Sequence, residues 1–460
     1  VSPEAAAFAG RRLHLIGVGG VGMSGLALAA NQLGAVVSGS DKAASSYTER
    51  LEAAGIAVTI GHDAANLPDD VEVVRSTAIG DDNPEITLAR EKGLKILHRS
   101  ELLAELVAVK PHCIAVAGTH GKTTTTAMIA FVLDALGMQP SFFVGGEVTI
   151  GAETTNAHLG DGDIVVIEAD ESDGSFLRYR PEVTVITNIE FEHPETWSGL
   201  DELISAFREF AGHAEHVVIE ADQPRIEELE LGDRGVTFAP APIAADFQAD
   251  AITTPADAAL GSSFRLKDQV VELGVRGDHN VKNALAALAA LERVGVPLEQ
   301  SIPAIKGFTG VGRRFERIGI TNSGVAVYDD YAHHQTEVRA ALTTARQTAG
   351  GGRVVAVFLP HLFSRTVAYT RELGESLELA DVIVVLDIYP AREKQEDFPG
   401  VTGWIVATSA ADAAPGKPVY YEPTYDDAVE LLEHILRPGD LCMTIGAGDV
   451  FLVAQRLVAA

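Results

Sequence analysis

The sequence is short of cysteine, of basic residues and of long apolar runs, and each shortage excludes something. Only two cysteines occur in 460 residues, Cys113 and Cys442. Both lie in apolar, strand-like runs and neither has a CxxC partner, so buried reduced thiols are expected in place of a disulfide framework or a zinc site. No apolar stretch has the length needed to span a bilayer, and the opening VSPEAAAFAGRRLH holds no block of the secretory kind; the expectation is a cytoplasmic protein. Lysine and arginine number 35 against 65 acids, a formal charge of −30. That balance argues against nucleic acid and against anionic membrane surfaces as partners. Any phosphate ligand must then be held by local devices: helix N-termini, one lysine, a few arginines and a divalent metal served by nearby carboxylates. Most of the acids are expected to form solvated faces. No repeat period of the solenoid or propeller kind is present.

What is present is a chain of a length for about three domains, organised around the stretch CIAVAGTHGKTTTT at 113–126. The apolar run Cys113–Ala117 reads as a buried parallel strand. Gly118 and Gly121 open a tight turn, and Met128, Ile129, Val132 and Leu136 have the spacing of a helix. Strand, glycine turn, lysine, hydroxyl and helix together make a phosphate cradle. Backbone N–H groups and the helix N-terminus face the phosphates, Lys122 neutralises them and the Thr123 hydroxyl can hold Mg²⁺. Val116 stands where the strict P-loop spacing has a glycine, so the turn is shorter than the common form and carries His120 inside it.

Earlier in the chain, a strand over Arg12–Val18 leads into Gly17-Val18-Gly19-Gly20-Val21-Gly22 and a helix to Leu33, and Asp41 ends the next strand about 20 residues on. Taken alone this pattern says dinucleotide-binding domain. Its mechanics, a pyrophosphate at a helix N-terminus and a carboxylate near a ribose, suit a nucleotide diphosphate-sugar equally well. Strand Val71–Ile79 and helices from Asn83-Pro84 and over Glu101–Val109 follow, with a boundary at Lys110-Pro111. Beyond the cradle, the strand ending in Glu168 runs into Asp170, Glu171 and Asp173, and a strand over Glu182–Ile189 leads to His193. A carboxylate at the C-terminal end of a parallel strand sits where open α/β sheets bind ligands. The Pro/Ala-rich stretch Ala239–Ala258 reads as loops between short strands. Asn280 and Asn283 share one face of an Ala/Leu-rich helix, where they could cap, bridge or read a base edge. The last third is again α/β, and Asp329-Asp330-Tyr331-Ala332-His333-His334 concentrates ionisable groups at one strand end.

The set GTHGKTTTT (118–126), EADESD (168–173), TNIEFEH (187–193), GDHNVKNA (277–284), GRRFE (312–316) and DDYAHH (329–334), with GVGGVGMSGLA near the start, resembles the Mur ligases of peptidoglycan synthesis over the whole chain. Its variants are most similar to the branch that joins L-alanine to UDP-N-acetylmuramate. The resemblance implies an α/β fold of three domains: a Rossmann-like UDP-sugar domain (1–110), a P-loop-type ATP and Mg²⁺ domain (111–314) and a Rossmann-like domain (315–460) that brings the amino acid and closes.

By position, the resemblance places the UDP-sugar at Gly19, Gly20, Gly22, Asp41 and Ser76. It places ATP at Gly118, Thr119, His120, Gly121, Lys122, Thr123 and Thr124, with Asn280, Asn283, Arg314 and Asp330 also on the nucleotide. Of two Mg²⁺ ions, Thr123 and Glu168 would hold one and His193 the other. Lys122, Glu168, His193 and Arg314 would carry the chemistry, and His333 and Arg365 would face the amino acid. ATP, UDP-N-acetylmuramate and L-alanine are the implied ligands, without NAD or zinc, and the oligomeric state is left open. Two positions depart from the family pattern. Val144 stands where many members have Asn, and Leu362 where many have Arg. The rivals are a sister ligase (a later Mur ligase or a folylpolyglutamate synthase) and an NAD-dependent oxidoreductase, which leaves Lys122, Glu168 and His193 unexplained.

Overall fold

The computed structural model describes residues 3–151, 153–194, 196–255 and 261–459. Three sheets carry the chain. The first contains β1 (Arg12–Ile16), β2 (Val36–Asp41), β3 (Ala57–Ile60), β4 (Glu72–Arg75) and β5 (Ile96–His98), in the order β3-β2-β1-β4-β5 with every pair parallel. Leu13, Leu15 and Ile16 are fully buried, which is why β1 is central. The order reverses on either side of β1, and the crevice at the carboxyl ends of β1 and β4 is where such sheets take ligands. Strands expected at Arg12–Val18 and Val71–Ile79 are shorter. At β1 the cause is Gly17, whose φ of 78° ends extended backbone. The Asn83-Pro84 signal is realised: Asn83 Oδ1 accepts the N–H groups of Glu85 and Ile86 and Pro84 opens the helix.

The second sheet has ten strands. They are β6 (His112–Ala117), β7 (Ser141–Ile150), β8 (Glu153–His158), β9 (Ile164–Glu168), β10 (Val183–Ile186), β11 (His216–Glu220), β12 (Gly235–Pro240), β13 (Phe247–Thr253), β14 (Ser263–Leu266) and β15 (Gln269–Glu272). Their order is β15-β14-β13-β12-β11-β10-β6-β9-β7-β8. β6 runs parallel to both β10 and β9 at the centre, and its residues Ile114–Ala117 are fully buried. The loops expected over Ala239–Ala258 are corrected in part. Phe247 and Ala249 are buried at alternate positions and pair with Phe238 and Pro240, so Phe247–Thr253 is strand; residues 256–258 lie outside those described.

The antiparallel hairpin β7–β8 is the element the sequence did not announce. It lies against the helix Val21–Gln32: Asn156 Nδ2 donates to Val21 O, and Gln32 Nε2 donates to Leu159 O across 2.9 Å. Lys110 Nζ adds bonds of 2.6 and 2.8 Å to the carbonyls of Gly160 and Gly162. The first two sheets accordingly share one compact unit (Val1–Ala251, Phe264–Glu272, Lys282–Phe308).

The other unit (Ile252–Ser263, Leu273–Val281, Thr309–Ala460) holds the third sheet. Its strands are β16 (Glu316–Ile320), β17 (Ala326–Asp330), β18 (Val354–Phe358), β19 (Val382–Val385), β20 (Val419–Tyr421) and β21 (Leu441–Ile445), in the order β16-β17-β21-β18-β19-β20. β16 is an antiparallel edge and the rest run parallel. β18 and β19 are buried throughout, as the near-continuous apolar runs of a sheet covered on both faces require.

Candidate functional site

The turn after β6 is built to receive an anion. Gly118 and Gly121 have φ of 122° and 83°, values that L side chains avoid. A Cβ on Gly118 would stand 2.2 Å from Thr187 Oγ1, and one on Gly121 2.5 Å from Asn283 Oδ1. Residues from the end of β10 hold the turn from outside. His120 N–H donates to Asn188 Oδ1 (2.9 Å), and its carbonyl accepts from Thr187 Oγ1 (2.6 Å) and Asn188 Nδ2 (3.0 Å). Thr119 Oγ1 donates to Glu190 O and accepts from Glu190 N, while the His120 ring lies 3.5 Å from Glu190. Thr187 and Asn188, which no site assignment from sequence included, thus shape the cradle. The helix Lys122–Ala135 starts immediately after it, with Thr123 and Thr124 buried in its first turn, so its N-terminal N–H groups and dipole face the turn.

Lys122 reaches back across this turn. Its Nζ donates to Gly118 O (2.6 Å), Thr119 O (3.1 Å) and both carboxylate oxygens of Glu171 (3.0 and 2.8 Å). Burial works against the ammonium's charge, but Glu171, Asp170 and Glu168 outweigh it and raise its pKa above the ordinary lysine value. Burial pushes the Glu171 carboxyl up from its ordinary range, with Lys122 pulling the other way. One residue along, Thr123 Oγ1 lies 3.2 Å from Glu168 Oε1, and Gly145 N–H donates to Glu168 Oε2 across 2.8 Å. The structure therefore brings together Lys122, Thr123 and Glu168 as the sequence grouped them, and adds Glu171. His193 sits in the loop beyond β10 with a left-handed φ of 58°, its ring 3.7 Å from Glu192.

Asn280 and Asn283 are buried on the helix Asp278–Arg293. Asn280 Nδ2 donates to Arg276 O (2.7 Å), a helix-start contact, while Asn283 lies against Gly121. Lys282, between them, pairs with Glu220 at the end of β11, and Gln223 ties that same carboxylate to the backbone N–H of Ile189.

In the first sheet the turn after β1 presents Gly19, Gly20 and Gly22, with Gly20 capping the helix Val21–Gln32. Asp41 Oδ2 accepts the Gly19 N–H (2.8 Å), and its other oxygen accepts from Ala43. The carboxylate thus holds the turn as well as standing at the strand end. Ser76 follows β4, half-buried, and its carbonyl accepts from Ile79. Arg99, unassigned from sequence, places Nη1 3.5 Å from the position a Cβ on Gly22 would take.

In the second unit, Asp330 at the end of β17 accepts N–H bonds from Phe315 and Ala332, each 2.8 Å. Burial pushes its carboxyl up to about 6, opposed by Arg314. Arg314 lies over the Tyr331 ring, 5.2 Å to its centre, and 3.9 Å from Glu337. Its neighbour Arg313 is committed to structure, bonding Asp329 (3.0 Å) and Gly446 O (2.8 Å). His333 Nδ1 bonds Tyr331 O (3.1 Å), and its ring meets His361 edge-on at 5.4 Å. His361 stacks on Tyr389. Burial pushes its pKa down to about 3, aided by His333, Arg365 and Arg392. His333 therefore packs against the His361 ring, and Arg365 contributes its charge to that ring's surroundings. Leu362, with φ 63°, begins the helix that carries Arg365.

Family models and similar proteins match the chain along most of its length. Residues 12–111 match the model described as Mur ligase family, catalytic domain, residues 116–291 the Mur ligase middle domain, and residues 313–448 the Mur ligase, glutamate ligase domain. A UDP-N-acetylmuramate–L-alanine ligase of Renibacterium salmoninarum is 44% identical over 454 residues, covering 95% of this chain and 93% of that protein. One of the same name from Rubrobacter xylanophilus is 42% identical over 459 residues, covering 97% and 99%. The crystal structure of a UDP-N-acetylmuramate-alanine ligase from Thermotoga maritima superposes with a TM-score of 0.83 at 30% identity, covering 97% of this chain and 98% of that one. A murein peptide ligase from Psychrobacter arcticus gives 0.73 at 26% identity, with 98% of each chain covered.

Proposed function

The chain belongs to the Mur ligase family, and on that premise we propose that it joins L-alanine to the lactyl carboxylate of UDP-N-acetylmuramate at the expense of ATP, releasing ADP and phosphate. The observation that carries the reading is the phosphate turn, where one ammonium (Lys122) stands beside a hydroxyl and a carboxylate 3.2 Å apart (Thr123 and Glu168).

A carboxylate oxygen is a poor leaving group at neutral pH, so the acid has to be activated. The lactyl carboxylate forms a bond to the γ-phosphorus as the bond to the bridging oxygen of ADP breaks, giving an acyl phosphate. The alanine amine then attacks the acyl carbon, loses a proton, and phosphate departs. Catalysis of this kind is largely positioning and charge neutralisation. The turn's N–H groups and Lys122 bind the β- and γ-phosphates. A hydroxyl and a carboxylate converging beside a phosphate turn are the hard oxygen donors that suit Mg²⁺. Thr123 and Glu168 would hold one ion and His193 a second, and bound Mg²⁺ supplies neutralisation of the phosphate oxygens. Gly19, Gly20, Gly22, Asp41 and Ser76 take the UDP-sugar, Asn280, Asn283, Arg314 and Asp330 the nucleotide, and His333 and Arg365 the amino acid. The domain limits 1–110, 111–314 and 315–460 belong to the same reading, as does a cytoplasmic location; no helix of the described residues is long and apolar enough to cross a membrane.

Phosphate release with ATP and UDP-N-acetylmuramate against a panel of amino acids tests the proposal. Release that requires both the sugar nucleotide and L-alanine is expected. Release with D-glutamate or a diamino acid in place of L-alanine would move the assignment to a sister ligase. Saturable enhancement of NADH fluorescence at micromolar protein would favour the oxidoreductase alternative.

A further inference from the structure

We propose that Glu171 is a positioning residue for Lys122: it holds the lysine across the phosphate turn and yields it when a nucleoside triphosphate enters. The inference rests on the reading of this turn as a nucleotide site.

An ammonium has three protons to donate, and two turn carbonyls with a two-oxygen carboxylate use all of them. As it stands, then, Lys122 neutralises a carboxylate. The Glu171 side chain is 2% exposed and that of Lys122 13%. The backbone of Glu171 is fixed as well, its carbonyl accepting from Gly174 N and from the buried Trp197 indole N–H, each at 3.1 Å. The carboxylate is therefore a stationary partner at the end of a pinned loop.

Two consequences follow when a polyphosphate approaches. Glu171 competes with the phosphates for the one lysine of the turn, and its negative charge opposes theirs in a site with little water to screen it. At the same time, the two-oxygen grip restricts where the ammonium can stand, so that its placement for phosphoryl transfer is set before the ligand arrives. A pair that served packing alone would have neither effect.

The test is calorimetric titration of the full chain with Mg·ATP alone, followed by steady-state turnover. Glu171→Gln removes the competing charge but leaves one acceptor; it should bind Mg·ATP about fivefold tighter while kcat falls about tenfold. Glu171→Asp keeps the charge on a shorter arm; its affinity should stay at the wild-type value while kcat falls. If the first does not fold, the second tests the positioning role by itself, through a fall in kcat at unchanged Mg·ATP affinity. Unchanged or weaker binding by Glu171→Gln, or an unchanged kcat in Glu171→Asp, overturns the proposal. Failure of the wild-type protein to bind Mg·ATP would instead overturn the nucleotide reading on which it rests.

Discussion

Arg99 Nη2 donates to Asp170 Oδ2 across 3.2 Å, and the same guanidinium faces Gly22 of the first glycine turn. One side chain at the start of the helix Arg99–Val107 thus stands between the turn of the first sheet and the acidic loop beyond β9. Asp170 immediately precedes the carboxylate that holds Lys122. Burial works against the charge on Asp170, but Lys122 and Arg99 keep its pKa below the ordinary value.

If the glycine turn takes the diphosphate as proposed, Arg99→Ala is expected to raise the KM for UDP-N-acetylmuramate about tenfold and to leave that for ATP nearly unchanged, because a guanidinium facing that turn could make charge-assisted bonds to it. The cost in stability should stay within about 1 kcal/mol, since the Arg99 and Asp170 side chains are 29% and 36% exposed and such pairs are screened. Steady-state kinetics with each substrate varied in turn, and urea denaturation, decide it. An equal rise in both KM values would mean that Arg99 acts only through the acidic loop.

The docking of the β7–β8 hairpin can be tested at Gly25. A Cβ there would stand 2.5 Å from Ala157 Cβ and 3.2 Å from Asn156 Nδ2, so helix and strand can approach only because residue 25 lacks one. Gly25→Ala, which in an exposed helix would stabilise, should here cost about 1–3 kcal/mol through overpacking. Amide exchange should report faster opening across 154–158. A raised melting temperature would show that the hairpin moves aside without penalty.

These two contacts also show where the sequence stops being legible. Apolar runs such as Cys113–Ala117 and Val354–Phe358 announce buried parallel strands, and the glycine turns announce helix N-termini, because both are local signals. The hairpin is not local. β8 reads Glu-Thr-Thr-Asn-Ala-His, which has no apolar alternation, and the buried Asn156 and Ala157 gain their surroundings from a helix that begins 135 residues before Asn156. The Lys122–Glu171 pair spans 49 positions. EADESD offers several carboxylates, and which one meets the lysine depends on the loop path fixed by Trp197. Glu168, flush with a strand end, could be picked out; Glu171 and Arg99 could not.

His361 is expected to contribute to acid sensitivity. Its folded pKa of about 3 lies below the ordinary 6.5, so the neutral buried ring contributes stability that is complete above about pH 6.5 and lost as the pH falls toward 3. The charges of His333, Arg365 and Arg392 add to the cost of protonating it. Between pH 7 and 4.5 the wild-type protein should lose about 2 kcal/mol more than His361→Gln. Urea denaturation of both proteins at the two pH values measures the difference, and parallel losses would show that the imidazole reaches water on protonation.

On the proposed function, amino-acid recognition is expected to turn on Arg365. A bound amino acid presents a carboxylate that must be held while its amine stays free to attack, and a guanidinium does this with two parallel bonds that lysine cannot copy. Arg365 lies on the short helix Phe363–Ala368, and its charge acts on the imidazole of His361, which packs against His333. Leu362, buried at the start of that helix, stands where the family pattern noted above has Arg, so on the proposed reading Arg365 would bear more of the task. Arg365→Lys should raise the KM for L-alanine by the equivalent of about 2–4 kcal/mol, as expected for a desolvated charge pair that loses its geometry. The KM values for ATP and UDP-N-acetylmuramate should move little. An alanine KM that stays in place, or a common shift of all three, would put Arg365 outside the amino-acid pocket and make it a residue that holds His361 and its helix in position.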